Sequence, residues 1–312
     1  MGHTTPSWRR VWFVIGLTAS LSIVSCDRSK QGVSGKGRKI ASLSPAATDM
    51  LVGIGAKDHL VAVSNFESSP EMKALPRVGD YQTTDWETLA RLRPDVMIIQ
   101  IAPDRVPPGL KQRADELKIE LVNVKIDGLE DVLNEMQRLG AVAGELDKGR
   151  ESVRKLRERL DAIRQECAGR PPISTLLARD ENGQDVIGPN NFLDDLLKVV
   201  NATNAAAGLG KPYPSIDREK LLSLSPEAVI VLLPDARPQN LETCKRFWAS
   251  MPQLPAVKND RVRIITEGYA LVPGPRVADL ARKMADYLRP PPATAPATGP
   301  TTNSGLTKEI IQ

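Results

Sequence analysis

The chain of 312 residues has the length of about two domains, and its 41% hydrophobic and 26% charged residues are ordinary for a globular protein. This composition excludes a polytopic membrane protein and a wholly disordered one. Basic residues outnumber acidic ones by only 42 to 38, without a dense basic stripe, so we expect no nucleic-acid partner. The two histidines, His3 and His59, are too few for a multi-histidine metal site, and we expect no bound metal.

Residues 1–25 have the pattern of an export signal. A basic pair, Arg9 and Arg10, precedes an apolar run that is too short and too rich in Ser, Thr and Gly for a membrane span. The run ends in Ile-Val-Ser-Cys, which is similar to a bacterial lipobox and predicts lipid attachment at Cys26. We therefore expect an exported protein anchored at a membrane surface. The alternative is an ordinary cleaved signal followed by a chance cysteine.

Both ends of the expected folded region are flanked by polar, low-complexity sequence. Residues 26–37 are rich in Gly and Ser and predict a flexible tether, whereas the Pro- and Thr-rich residues 290–312 predict a disordered tail. Between these segments the chain has two cysteines, Cys167 and Cys244. Export would permit a disulfide between them. Their distance in sequence leaves both a disulfide and two free thiols open.

Short apolar strands alternate with helices along the N-terminal half, which predicts a mostly parallel sheet covered by helices. Ser44 and Pro45 begin the first helix, because Ser is a good N-cap and Pro fits the first helical position. His59 follows this helix in a connection that we expect at the surface. The predicted strands are residues 38–43, 61–63, 96–99 and 121–124. The C-terminal half repeats the plan, with predicted strands at 173–177, 228–233 and 262–265 and predicted helices at 192–200 and 276–288.

An internal repeat relates the two halves. Residues 81–98 share Tyr, Asp, Glu, Leu, Leu, Pro and Ile with residues 213–230, each at an offset of 132 residues. Each copy has the pattern of a loop, a capped helix, a turn at proline and a buried strand. Asp85 and Asp217 are the predicted N-caps. The repeat therefore predicts two similar lobes, which we place at residues 38–145 and 169–289.

A helical segment connects the predicted lobes. Apolar residues recur at helical spacing over residues 129–139 and again over 153–163, and glycines separate the two stripes. We place the connecting helix in residues 146–168, and its stretch from Asp147 to Cys167 would be about 30 Å long at 1.5 Å per residue. We therefore predict an α/β protein with two Rossmann-like lobes, joined by a long rigid α-helix, and a ligand cleft between the lobes.

The ordered set of motifs resembles the class III periplasmic substrate-binding proteins, which deliver cobalamin, ferric siderophores or haem to ABC importers. Asp49 stands where this family usually has Glu. The resemblance covers residues 38–289 and rests on residues 44–49, Val78-Gly79, 85–99, Gly140, Gly144, Tyr213-Pro214, 217–230 and Gly274-Pro275-Arg276. It implies a binding protein that acts as a monomer and has no intrinsic cofactor.

The resemblance also implies roles for particular residues. In this family a Glu on each lobe pairs with arginines of the permease, and Glu87 and Glu219 match those positions; otherwise each carboxylate only complements a helix dipole. Core packing is the alternative for every residue implied at the ligand, and Arg276 is either a pocket or a structural residue. The residues implied for ligand contact are Phe66, Tyr81, Gln100, Arg179, Tyr213 and Tyr269.

Cobalamin is the favoured ligand, because aromatic walls with few charges suit a flat macrocycle that has an amide rim. Ferric siderophores and haem remain alternatives, and a ligand-sensing lipoprotein without an importer is an alternative of another class. The chain is not expected to be an enzyme. It has no Gly-x-Ser-x-Gly elbow, and the Gly53-Ile54-Gly55 segment ends a helix and so is not a dinucleotide loop.

Overall fold

The computed structural model describes residues 37–289. The predicted signal peptide, nearly all of the predicted tether, Cys26 and the predicted tail lie outside the described residues. Within residues 37–289, eight β-strands form two four-stranded sheets, and every strand pair is parallel. This arrangement confirms the prediction of two α/β lobes.

The N-terminal lobe is built on the first sheet, whose strand order is β2-β1-β3-β4. Its strands are β1 (Ile40–Ser42), β2 (Leu60–Val63), β3 (Val96–Gln100) and β4 (Glu120–Val124). Its helices are α1 (Pro45–Gly53), α2 (Trp86–Leu92) and α3 (Pro108–Glu116). Val96 of the central strand β3 pairs with Ile40 on one side and Glu120 on the other. The continuous apolar run of β3 is buried because helices cover both faces of a parallel sheet.

Two helices connect the lobes, α4 (Leu129–Ala143) and α5 (Leu146–Cys167). Gly144 ends α4 in the left-handed conformation, with φ 79°, and the chain turns back there. The 22 residues of α5 extend for about 33 Å. The apolar stripe of α5 is buried against α4, and this stripe comprises Val153, Leu156, Leu160 and Ile163. The long helix predicted from the sequence is confirmed.

The C-terminal lobe is built on the second sheet, whose strand order is β6-β5-β7-β8. Its strands are β5 (Ile173–Ala178), β6 (Ala202–Asn204), β7 (Ala228–Leu232) and β8 (Val262–Ile265). Its helices are α6 (Phe192–Val199), α7 (Arg218–Leu224), α8 (Pro238–Ala249), α9 (Pro255–Lys258) and α10 (Val277–Leu288). Three of these elements, β6, α8 and α9, do not appear in the sequence prediction. β6 has only three residues and α9 only four, which is too short for a recognisable apolar period, and α8 begins at a proline with three polar residues in its first turn and a half.

The 132-residue repeat is reproduced in three dimensions. Helices α2 and α7, and strands β3 and β7, begin and end at equivalent residues of the two copies. The carboxylate of Asp85 accepts a hydrogen bond from the Thr88 amide at 3.0 Å, and that of Asp217 accepts one from the Lys220 amide at 2.7 Å. Both predicted N-caps are therefore confirmed.

Two local features bear on the sequence expectations: the state of the cysteines, which the sequence left open, and the exposure of His59. Cys167 and Cys244 are both buried and free, so they form no disulfide, and burial raises the pKa of Cys244 to about 11. The expectation of a surface His59 is wrong, because its side chain is only 13% exposed. The ring lies between the chain entering β1 and the start of α5, with Nδ1 3.1 Å from the Arg38 carbonyl oxygen and Nε2 3.4 Å from Glu145.

Among residues 37–289, no helix combines the length and the hydropathy that crossing a membrane requires. The same residues contain no group of three or more His, Cys, Asp or Glu side chains placed to hold a metal ion.

Candidate ligand-binding site

A cavity of about 720 Å³ lies between the two lobes. The N-terminal lobe lines it with α1 and the loop of residues 66–71, which follows β2. The C-terminal lobe lines it with residues 234–235, which follow β7, and with residues 268–276, which follow β8. Ligand pockets commonly have volumes of about 300–1,000 Å³, and loops at the carboxyl ends of parallel strands commonly form them. The cavity therefore has the size and the place of a ligand site.

One face of α1 forms a wall of the cavity. Ser44 positions this helix, because its hydroxyl accepts the Ala47 amide at 3.2 Å and donates to Gln100 at the end of β3 at 2.8 Å. The opposite face of α1, which includes Met50 and Leu51, is buried in the core. The wall residues recur at helical spacing and are Pro45, Thr48, Asp49, Val52 and Gly53.

The loop after β2 contributes an aromatic ring to the cavity. Phe66 is 70% exposed and lines the cavity, and it is one of the few large hydrophobic side chains that are exposed among the described residues. The loop is held by Arg77, whose guanidinium donates to the main-chain oxygens of Ser64 and Glu67 at 2.9 and 2.6 Å. Phe66 is therefore an uncovered ring on a braced loop, available to a ligand.

The two lobes touch directly beside the cavity. A Cβ atom at Gly53 would lie 2.3 Å from Pro275, and one at Gly274 would lie 2.3 Å from the Asp49 carboxylate. These glycines therefore permit a close approach that no larger residue allows. An ion pair crosses the same junction, with Arg276 Nη2 2.8 Å from Asp49 Oδ1. The Arg276 guanidinium also lies 5.0 Å from the centre of the Tyr269 ring, within cation–π range.

Asp49 is the electrostatically unusual residue of the wall. Its side chain is 14% exposed, and Oδ2 is buried without a hydrogen-bond partner among the described residues. Burial raises the pKa of the Asp49 carboxyl, and the neighbouring Arg276 opposes this shift without cancelling it. An acceptor oxygen without a donor is costly when buried, and Oδ2 lies at the junction of the lobes beside Gly274.

The structure brings a second pair of the predicted residues together. Arg179 follows β5, and its guanidinium lies 5.1 Å from the ring centre of Tyr213. Tyr213 is 48% exposed, and burial of the hydroxyl raises its pKa. Neither residue lines the 720 Å³ cavity. The Arg179–Tyr213 pair is therefore a separate, accessible feature of the C-terminal lobe.

The predicted ligand residues thus divide by location. Phe66 and Arg276 line the cavity, and Tyr269 contacts it only through Arg276. Tyr81 is half-buried against the apolar core beneath α2, and Gln100 is half-buried with its oxygen bonded to Ser44. Ligand contact by Tyr81 and Gln100, as by Arg179 and Tyr213, stays a prediction.

Sequence reasoning did not assign the acidic residues of the cavity wall. Asp49 offered a signal, since it departs from the Glu that is usual at its position, and Glu67 directly follows the predicted Phe66. Asp235 offered no signal in the sequence. It lies in a turn after β7 with φ 56°, and a hydrogen bond from its amide to the Thr266 carbonyl at 2.9 Å holds it there.

The two repeat glutamates lie away from the cavity wall. Glu87 is in the first turn of α2 and Glu219 is in the first turn of α7, and both side chains are exposed. Each follows its capping aspartate by two residues, so the two lobes present the same acidic helix start. A carboxylate there is favoured by the helix dipole and remains free to meet a partner.

Two parallel-sheet lobes with a cavity between them define a binding protein, and comparison with known proteins identifies its family. A family model described as "Periplasmic binding protein" matches residues 40–269. The chain therefore belongs to the periplasmic binding protein family, whose members are extracytoplasmic substrate-binding proteins and work with ABC permeases.

Curated relatives match nearly the whole folded region. A vitamin B12-binding protein of Vibrio cholerae serotype O1 is 24% identical over 253 residues, which cover 80% of this chain and 89% of that protein. A vitamin B12-binding protein of Photorhabdus laumondii is 22% identical over 284 residues, which cover 90% of this chain and 98% of that protein. The resemblance to class III substrate-binding proteins is confirmed.

Solved structures confirm the fold. The crystal structure of the periplasmic vitamin B12-binding protein of Vibrio cholerae matches with a TM-score of 0.68 at 24% identity, covering 81% of this chain and 96% of that one. A periplasmic haem-binding protein from Pseudomonas aeruginosa matches with a TM-score of 0.70 at 22% identity, covering 86% of this chain and 100% of that one.

Proposed function

We propose that this chain is the substrate-binding lipoprotein of an ABC importer and captures cobalamin or a related corrinoid. The observation that carries the proposal is the cavity between the lobes, which combines an uncovered aromatic ring at Phe66 with an already paired Arg276. A flat, largely neutral macrocycle suits such a surface. The full-length similarity to vitamin B12-binding proteins supports the same ligand.

The positions and protonation of Tyr213 and Tyr269 disfavour haem as the ligand. A haem iron bound by tyrosine takes the ionised phenolate. Neither Tyr213 nor Tyr269 lines the cavity, and burial raises the pKa of both phenols, so neither is placed or poised to supply a phenolate there. A corrinoid needs no phenolate from the protein. The haem and ferric-siderophore alternatives remain as arms of the experiment below.

The proposed binding site combines the cavity wall with the predicted residues near it. Phe66 and Arg276 would contact the ligand in the cavity, with Tyr269 holding Arg276 in place. We extend the site to the remaining predicted residues, because each lies on a loop or at a strand end on the side where the strands' carboxyl ends meet. These residues are Tyr81, Gln100, Arg179 and Tyr213.

Titration of residues 37–312, which include all of the described residues 37–289, tests the ligand. Cyanocobalamin, hemin and ferric siderophores would be followed by absorbance and calorimetry, and we expect cyanocobalamin to bind tightest. Phe66→Ala should weaken that binding by about 10- to 100-fold, because it removes about 1.5–3 kcal/mol of aromatic burial. Phe66→Trp keeps an aromatic face and should bind within about threefold of the parent chain. Failure of all three ligands to bind below about 10 µM would reject the site.

We also propose that the protein docks on its permease dimer through Glu87 and Glu219. Exposed carboxylates at equivalent places on two similar lobes suit a partner that has two equivalent basic surfaces. The same pair does not suit acid–base catalysis, which needs both groups around one bond. A sensing lipoprotein without an importer would not require this pair.

The membrane anchor is proposed at Cys26, which lies outside the described residues. A lipid on this cysteine, followed by the Gly- and Ser-rich tether, would hold the folded unit near the membrane surface. Cells that express the full chain and grow with radiolabelled palmitate should label it, whereas Cys26→Ser should abolish the label and release the protein from membranes. Equal labelling of both chains would contradict the anchor.

A further inference from the structure

The cavity wall carries more acidic than basic side chains. Among the described residues that line the cavity, four are carboxylates and one is a guanidinium, Arg276. The carboxylates come from both lobes and are Asp49, Glu67, Glu71 and Asp235. A wall of this composition repels anions that approach it, and the repulsion grows where water is excluded.

The nearby cations offset part of this acidity, and each of them is already engaged. Arg276 is held on two sides, by Asp49 Oδ1 at 2.8 Å and by the Tyr269 ring. Lys57 pairs with Glu71 at 3.4 Å, and both of those side chains are largely exposed. The Arg77 guanidinium is occupied by main-chain oxygens of the loop. Among residues 37–289, no cation that lines the cavity is therefore left without a partner to receive an anionic group of a ligand.

Two of the carboxylates are held in fixed positions at the cavity. Asp49 pairs with Arg276 through Oδ1, and its Oδ2 is buried beside Gly274 with no donor among residues 37–289. Glu67 is 9% exposed, and one of its oxygens accepts the Ser69 amide at 2.8 Å, which orients the carboxyl group within the loop. A fixed carboxylate at either position repels a carboxylate of a ligand, and Glu67 also favours a ligand that brings N–H donors.

We propose that Asp49 and Glu67 are specificity-determining residues, and that the cavity selects a neutral or cationic macrocycle whose rim donates hydrogen bonds from amide groups. The inference rests on the proposed function, because it names the ligand class of the same cleft. The amide rim of a corrinoid fits this requirement, and the propionates of haem do not. If one amide of the corrinoid rim is converted to a carboxylate, the ligand loses one hydrogen-bond donor and gains a negative charge that the cavity wall repels.

The test compares cyanocobalamin with its peripheral monocarboxylic acids, using residues 37–312 and calorimetry at neutral pH. At least one monocarboxylic isomer should bind 10-fold or more weakly than the parent amide, roughly the effect of one lost charge-assisted hydrogen bond. In a chain carrying Asp49→Asn and Glu67→Gln, the same isomer should bind within about threefold of the parent amide. Asp115→Asn, an exposed change on α3, should leave the discrimination as it is.

Three results overturn the proposal. The first is that all monocarboxylic isomers bind as tightly as cyanocobalamin. The second is that the double variant still binds the isomer 10-fold or more weakly than the parent amide. If the double variant does not fold, Glu67→Gln alone provides the same comparison, because Glu67 makes no ion pair between the lobes. The third result comes from hemin and hemin dimethyl ester, for which the acidic wall predicts tighter binding of the ester. Tighter binding of hemin contradicts the acidic wall whether or not corrinoids bind, whereas failure of corrinoids alone rejects only the proposed function.

Discussion

A chain carrying both Glu87→Ala and Glu219→Ala should bind its ligand with unchanged affinity yet support no measurable uptake. Both carboxylates are exposed in first helical turns, remote from the cavity wall, so their removal leaves the ligand site intact. Removing one partner of a charge pair at an interface costs about 2–5 kcal/mol, so loss of two should weaken docking by more than about 100-fold. Ligand-stimulated ATP hydrolysis by the permease in liposomes would measure this loss.

The control for this variant carries Glu116→Ala and Glu242→Ala. These residues also place one exposed carboxylate on a helix of each lobe, and each forms its ion pair with a basic residue three positions away on its own helix. The control should stimulate the permease as the parent chain does. Normal uptake by the Glu87/Glu219 double variant would contradict the docking proposal. Loss of ligand binding would mean that the ligand-binding face and the permease-docking face have been assigned the wrong way round.

The second large effect is expected on stability, from Trp248→Ala in α8. Trp248 is 2% exposed and packs edge-on against Phe247, with ring centres 5.4 Å apart. It also fills the space beside Gly183 and Leu221, and Leu221 belongs to α7, the helix that carries Glu219. Truncation should cost about 3–5 kcal/mol through the cavity that it leaves. Thermal unfolding should then occur roughly 6–20 °C lower, as calorimetry would measure.

Trp248→Phe separates packing from hydrogen bonding at this position. The indole N–H has no oxygen or nitrogen acceptor among the described residues and only the weakly accepting Cys244 sulfur nearby, so replacing it removes little hydrogen-bond energy. The phenyl ring retains most of the apolar contact, and we expect a loss below about 2 kcal/mol. If Phe destabilised the protein as much as Ala, an unobserved polar interaction of the indole would be required, and the packing argument would fail.

Much of the fold was predictable because its signals are local. Ser44, Asp85 and Asp217 cap helices through contacts within three residues, so short sequence windows contain them. Strands β3 and β7 are continuous apolar runs, as buried parallel strands require. Short elements such as β6 and α9 escaped prediction, because three or four residues form no recognisable period and depend on neighbours for their geometry.

The site was predictable only in part. Phe66 could be nominated because it follows a strand, and Arg276 because it opens the last helix. The location of Tyr81 against the apolar core beneath α2, and of Tyr269 beneath Arg276, could not be read from spacing, since either ring could have faced the cleft. Side-chain direction on a loop depends on what packs against it, and that information is distributed over the whole chain.

The sequence by itself determined that the protein has two similar parallel lobes joined by helices, because periodicity, capping and the 132-residue repeat act over neighbouring residues. Only the tertiary structure decided the character of the cleft. Asp49 and Arg276 are far apart in the chain, and they meet because glycines at 53 and 274 permit the lobes to touch. Charge density in a cavity depends on distance in space rather than on sequence, so an acidic wall built from both lobes becomes visible only after folding.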